Sequence, residues 1–353
     1  MLAGVSNFLS RHKRKFLVTG VVIGGATLAF RYAQKKLEAW GQQEAMDFIE
    51  RARRQQHFEA MDTACNSTIS SLVPTVFESI QKIADCEKHV VAIQTTKTSK
   101  LQIWEVLKIE VVSRVLLEMC SGAMLVILMK IQLNIIGASM LKENQYSTEL
   151  QKKYLTMCNN FISSKMKDLY TVIRGCVDAV IHDVPLTQQM TVASTEDTLW
   201  LVYNRLRTEK KNPFDNMSEY LIPPESWENS REDSLANVDI QHLRSLIDDT
   251  RDLLESMEVK KLMNLLTSQG CGFFTDKFLS AFPVGNGAGR IPSDEEVWSF
   301  SNFGPVPLAR LVSNIQATTK NLDVFTSWVN HLLNNDTFKM FGANIYEAFS
   351  CPK

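Results

Sequence analysis

The side chains able to do chemistry are scattered along the chain. Six histidines stand at 12, 57, 89, 182, 242 and 331, and none sits with another His, Cys or Asp at a spacing that holds a metal. Seven cysteines, at 65, 86, 120, 158, 176, 271 and 351, include no C-x-x-C and leave an odd one over, which suits free thiols in a reducing compartment. Gly285-Asn286-Gly287-Ala288-Gly289-Arg290 has the glycines of a phosphate cradle, yet it lacks GK[ST] and follows Phe282-Pro283 where a strand would be needed, so it reads as an ordinary loop. Arg51, Arg53 and Arg54 carry the charge to touch phosphates or lipid head groups, but a solvated helix face explains them without any ligand. With no nucleophile beside a base and no ligand set, the sequence predicts no catalysis, no cofactor and no metal. A net charge of -1, from 38 basic and 39 acidic residues, gives no field that would gather nucleic acid.

The clearest element signal is near the amino terminus. Arg11, Lys13, Arg14 and Lys15 precede fifteen uncharged residues, Phe16 to Phe30, and Arg31, Lys35 and Lys36 follow. Phe16, Leu17, Val21, Val22, Ile23, Leu28 and Phe30 supply the lipid-facing bulk of a transmembrane anchor over 16–33, with Arg31 snorkelling to the interface. A cleaved secretory signal has the same basic-then-apolar order, but no clean A-x-A site follows here. A mitochondrial presequence would spread its arginines along an amphipathic helix. Basic residues on both sides leave orientation undecided by charge. Gly20, Gly24 and Gly25 form a small-residue face suited to weak self-association through the anchor.

The rest of the chain, 34–353, is predicted to be one large elongated all-helical bundle. Phe58, Met61, Cys65, Ile69, Leu72, Val76, Ile80 and Ile83 step by three or four and so share one helical stripe, which Pro74 is expected to kink or divide. Ser99-Lys100-Leu101-Gln102 has the form of a capping box, opening a helix through Trp104 toward Asn134. From Met119 to Leu141 the only charge is Lys130. A second membrane span is conceivable there, but a lysine at its centre favours a buried core helix. Further helices are expected over 151–182, 238–268, 306–334 and 337–350, with loops from Asn212 to Asn237 and from Phe282 to Ser293.

Several runs are informative together: RHKRKFLVTGVVIGG, YAQKKLEAW, ARRQQHFEA, SKLQIWEVLKI, IQLNIIG and the terminal ANIYEAFS. In number and order they resemble the peroxin-3 family of peroxisomal membrane proteins. The likeness spans essentially the whole chain and is loosest from about 142 to 300, where this chain is shorter than the vertebrate pattern. The resemblance implies residence in the peroxisomal membrane, or transiently in the endoplasmic reticulum, with one span and the carboxyl-terminal domain in the cytosol. It implies docking of peroxin-19, the soluble carrier of newly made peroxisomal membrane proteins, through an amphipathic helix laid in an apolar groove, with membrane lipid around the anchor. On this reading Trp104 is the central anchor. Lys100, Leu101 and Leu107 join it on the same helix, Ile93 stands at a usual leucine position, and Asn134 and Arg310 complete the set, Arg310 at a lysine position. Lys100 and Lys108, a turn either side of Trp104, are expected to make that strip a mixed surface. The alternative from the residues alone is a membrane-anchored enzyme or lipid-handling protein, which would show a deep pocket with convergent polar groups of perturbed pKa.

Overall fold

The computed structural model describes residues 42–96, 99–140, 146–224, 227, 237–284 and 303–350. The basic segment Arg11 to Lys15, the anchor over 16–33 and the Gly285–Arg290 loop lie outside the described residues.

Helix α1, Gln42–Ile83, is built on the apolar stripe: Cys65, Ile69, Val76 and Ile80 are buried, and Val73 joins them. It runs unbroken through Pro74, contrary to the expected division. Pro74 removes the hydrogen bond to the carbonyl of Ser70, but both residues are exposed and water can satisfy that oxygen. A short corner leads to α2, Glu87–Thr95, and then to α3, Lys100–Ser139.

Helix α3 is the axis of the molecule. Every residue from 107 to 132 is buried, as expected of a helix that is apolar all round. It is long and apolar enough to cross a membrane, yet its apolar stretch is wholly enclosed by the bundle, so the core-helix reading holds over the second span. Each buried leucine or isoleucine contributes on the order of 1.5–3 kcal/mol. Several polar residues along it find partners: Ser113, Ser121 and Ser139 donate back to the carbonyls of Ile109, Leu117 and Ile136, and Gln132 donates to Tyr154 O. Ser99 does not form the expected capping box. It sits left-handed at φ 64°, and its side chain makes no cap hydrogen bond, because that backbone turns the hydroxyl away from the first-turn amides.

The following run is nearly continuous: α4, Thr148–Leu155, a short turn Met157–Asn160, a π-helical turn Phe161–Lys165, and α5, Met166–Ile181. Helix α6, Val192–Thr208, starts at a reciprocal Thr191/Ser194 capping box, and α7, Met217–Leu221, interrupts the long loop. The expected 238–268 helix is two, α8 Asn237–Leu254 and α9 Met257–Lys277, broken where Ser256 caps α9. The expected 306–334 helix is also two, α10 Leu308–Thr319 and α11 Leu322–Leu333, followed by α12, Asp336–Ser350. Two-residue strands, β1 Gln189–Met190 and β2 Val306–Pro307, pair antiparallel and make a minor clip on an all-α fold.

Helix α1 runs antiparallel to α3. Its Asp62 carboxylate meets Lys130, whereas its far end at Ala84 meets Arg114. Helices α4, α5 and α8 to α12 pack around the same axis.

Candidate functional site

Helix α3 is not buried along its whole length. Over its first two turns it emerges from the bundle: Lys100, Leu101 and Gln102 are exposed, Ile103 to Val106 are half-buried, and burial is complete from Leu107 onward. Leu101 is 68 % exposed, and Trp104 packs one side against the core while leaving part of its ring open. Helix α2 supplies the neighbouring wall. None of its residues is buried; Val90 and Ile93 lean on the core, and Val91 is 56 % exposed. Because α2 begins beside Arg114 and a four-residue connection returns the chain to Lys100, it lies along the first ~21 Å of α3, the stretch that carries Trp104.

Three expectations at this surface need correction. Lys108 is fully buried, so the strip around Trp104 is not flanked by two solvated lysines. Its ammonium meets Glu105 Oε2 at 2.5 Å and donates to His182 O at 3.0 Å and Val184 O at 2.8 Å. It thus closes the C-terminal end of α5, where carbonyls lack helical partners and a cation is favoured. Leu107 is 1 % exposed and belongs to the core. Asn134 is also interior, donating to Lys130 O at 2.8 Å, and lies about 45 Å along the helix from Trp104 by helical rise. Arg310 is exposed and belongs to the Trp104 end: Ala309 N donates to Leu186 O at 3.0 Å, two residues beyond the Val184 carbonyl that Lys108 holds. Of the sequence-nominated residues, Ile93, Lys100, Leu101, Trp104 and Arg310 therefore share one end of the bundle. Val91 is an addition, signalled only by the apolar cluster Val90-Val91-Ala92-Ile93 in a helix too short to show clear periodicity.

The opposite end is assembled from α1 and α12. His57 Nδ1 and Tyr346 Oη are 2.6 Å apart, Arg54 reaches Glu347 at 3.7 Å, and the Lys130 ammonium lies 5.1 Å from the Phe338 ring centroid while bonded to Asp62. The first turns of α1, which continue the chain from the segment 1–41, are consequently at the end remote from Trp104.

Reactive chemistry is muted throughout the described residues. Burial pushes the thiols of Cys65, Cys86 and Cys271 up to about 12 and that of Cys176 up to about 11, far from a nucleophilic thiolate at neutral pH. Glu118 is fully buried in α3 with neither carboxylate oxygen hydrogen-bonded, and burial raises its pKa well above the usual range, so the carboxyl is held neutral. No group of three or more His, Cys, Asp or Glu side chains among the described residues could hold a metal. A surface cleft of about 370 Å³ is lined by Asn204, Arg207, Thr208, Phe214, Asp215 and Asn264.

A helical bundle packed around one buried axis, with Val91 and Leu101 among its exposed apolar side chains where that axis emerges, is an all-α protein. The chain belongs to the peroxin-3 family, whose model matches residues 7–100 and 138–348. It is similar to human peroxisomal biogenesis factor 3, at 29 % identity over 378 aligned residues covering 100 % of this chain and 99 % of that one. The protein of the same name from Debaryomyces hansenii is 20 % identical, with 99 % of each chain covered. Peroxisome biogenesis protein 3-2 of Arabidopsis thaliana is 22 % identical over 89 % of each.

Proposed function

We propose that this protein is a docking receptor at the peroxisomal membrane for peroxin-19 carrying newly made membrane proteins. Membership of the peroxin-3 family gives it a role in peroxisome biogenesis. In the finer reading, residues 1–15 form a basic tail, 16–33 the single membrane anchor and 34–353 the cytosolic docking domain. The observation that carries it is the pairing of exposed Leu101 and Val91 with half-buried Trp104 at the end of the bundle remote from the start of α1. Exposed apolar side chains beside a half-buried tryptophan are what a partner's apolar face would cover. A strip one helix wide suits an amphipathic helix, whose apolar face would lie against Trp104, Leu101 and Ile93 with Lys100 and Arg310 at the rim.

Two experiments test it. Binding of peroxin-19 to the full chain and to Trp104→Ala should differ by about 2–4 kcal/mol, a thirty-fold to nearly thousand-fold weakening, while the melting temperature changes little. Undiminished binding, or a variant that melts far lower, would remove Trp104 from the site. Deleting residues 1–33 should release the protein from membranes on carbonate extraction; retention in the pellet would defeat the anchor assignment.

A further inference from the structure

Helix α2 raises the question of what holds it in place. Nine residues are too few for a helix to persist alone in water, and α2 has no buried residue: Val90 and Ile93 only lean on the core, and its first turn is capped by Asp85 Oδ1, which accepts from Lys88 N at 3.2 Å. Its C-terminal end runs into a connection with a left-handed Ser99, a conformation that stabilises nothing by itself. The fixed point is at the other end. Arg114, fully buried in α3, spreads its guanidinium over the α1–α2 corner: Nε and Nη2 donate to Ala84 O at 3.0 and 2.7 Å, and Nη1 and Nη2 donate to the two carboxylate oxygens of Glu87 at 3.1 and 2.6 Å. Gln316 Nε2, from α10, adds a third bond to Glu87 at 3.1 Å. One planar fork thus ties the carbonyl of Ala84, just past the end of α1, and the first carboxylate of α2 to the central helix.

The bidentate geometry matters because it fixes direction as well as distance. A single contact at the hinge would let the remaining turns of α2 swing, while a forked pair backed by Gln316 leaves the helix one orientation along α3. That orientation decides how far Val91 and Ile93 stand from Leu101 and Trp104.

We infer that Arg114 and Glu87 are positioning residues for the Trp104 site, a clamp at the root of α2 that sets the width of the groove a partner helix would enter. This rests on the docking function proposed above. Burial of Arg114 gives the clamp its stiffness: the guanidinium has no water to turn to, so releasing Glu87 would strand it. With the clamp weakened, α2 samples splayed positions, and apparent affinity falls by the fraction of time the groove is formed.

The test compares the full-length protein with Arg114→Lys, Glu87→Gln and Trp104→Ala, measuring peroxin-19 affinity and amide hydrogen exchange at a temperature where every variant is folded. Arg114→Lys keeps the charge and loses the fork, and Glu87→Gln keeps the shape and loses the charge. Each should bind about tenfold more weakly if the formed groove drops to roughly a tenth of the population. Faster exchange should be confined to 87–96, with the peptides around Ile69–Ile80 and Leu116–Leu128 unchanged, and saturating partner should restore protection. Exchange that rises throughout the bundle would make the pair a general stabiliser and overturn the inference. So would variants that bind as tightly as the parent while Trp104→Ala loses binding, an outcome that leaves the docking function intact. If Trp104→Ala itself binds undiminished, the docking function falls and this inference falls with it.

Discussion

Replacing Gly342 with alanine sets two effects of known sign against each other. In the middle of α12 the change should gain about 1 kcal/mol of helix propensity. A Cβ at that position, however, would stand 2.5 Å from Lys130 Cε, 3.3 Å from Asn134 Nδ2 and 3.5 Å from Lys130 Cδ. Carbon atoms in contact prefer about 3.5–4.0 Å, so Lys130 or the helix must move by roughly 1 Å. Lys130 is poorly placed to yield, being fully buried, bonded to Asp62 and close to the Phe338 ring. Pushing α12 outward instead costs about 1–3 kcal/mol by overpacking, and giving up the ion pair would cost more. With the cost near the middle of that range, the net expectation is a loss of about 1 kcal/mol, read as a lower urea midpoint at unchanged slope. In a Lys130→Ala background the obstruction is gone, and the same substitution should become neutral or stabilising. A Gly342→Ala protein as stable as the parent, or an equal loss in both backgrounds, would refute the reasoning.

Three further outcomes follow from the buried polar groups and the helix start. Glu118→Met should stabilise the protein, and the gain should grow as pH rises above 4.5. There the unfolded chain ionises Glu118 while the fold holds it neutral, so the native carboxyl's contribution is lost with rising pH; urea midpoints at several pH values check the slope. Lys108→Met should destabilise by about 2–4 kcal/mol, since Glu105 and the carbonyls of His182 and Val184 lose their shared donor; thermal melts measure it. Ser99→Gly should raise stability by up to about 1 kcal/mol by relieving the left-handed backbone, again read from the melting transition.

Much of the fold was legible because apolar continuity is a strong signal. The unbroken run of Met119 to Leu141 announced a helix buried on all sides, and the stripe of α1 was visible residue by residue. The misreadings came where a neighbour distant in sequence decides. Lys100 and Lys108 are equivalent by spacing from Trp104, and only the carbonyls of His182 and Val184 draw one of them inside. Asn134 could not be told from a surface polar residue until α12 covered it. Pro74 was expected to kink or divide α1, and the division does not occur; nothing in the sequence says that the freed Ser70 carbonyl faces water. Helices α2 and α6 went unseen because one is too short for a period and the other opens on Thr191/Ser194, a cap without the usual acidic partner. The candidate site was half legible: Trp104, Leu101 and Lys100 sit on one visible helix, while the α2 wall is joined to it through partners distant in sequence, Arg114 and Gln316 on Glu87.

The junction of α12 with α1 and α3 bears on the order in which the chain can be completed during synthesis. The putting-together of this end waits for residues 336–350, although the segments they cover, near His57 and Lys130, are made hundreds of residues earlier. Until then one end of the most apolar helix is left uncovered, and such long-range closure is slow and exposed to aggregation. Closure of this end therefore depends on α12. A nascent chain stopped before Asp336 should stay bound to chaperones and sensitive to protease, whereas release of the full chain should end both, a difference that stalled translation products would reveal.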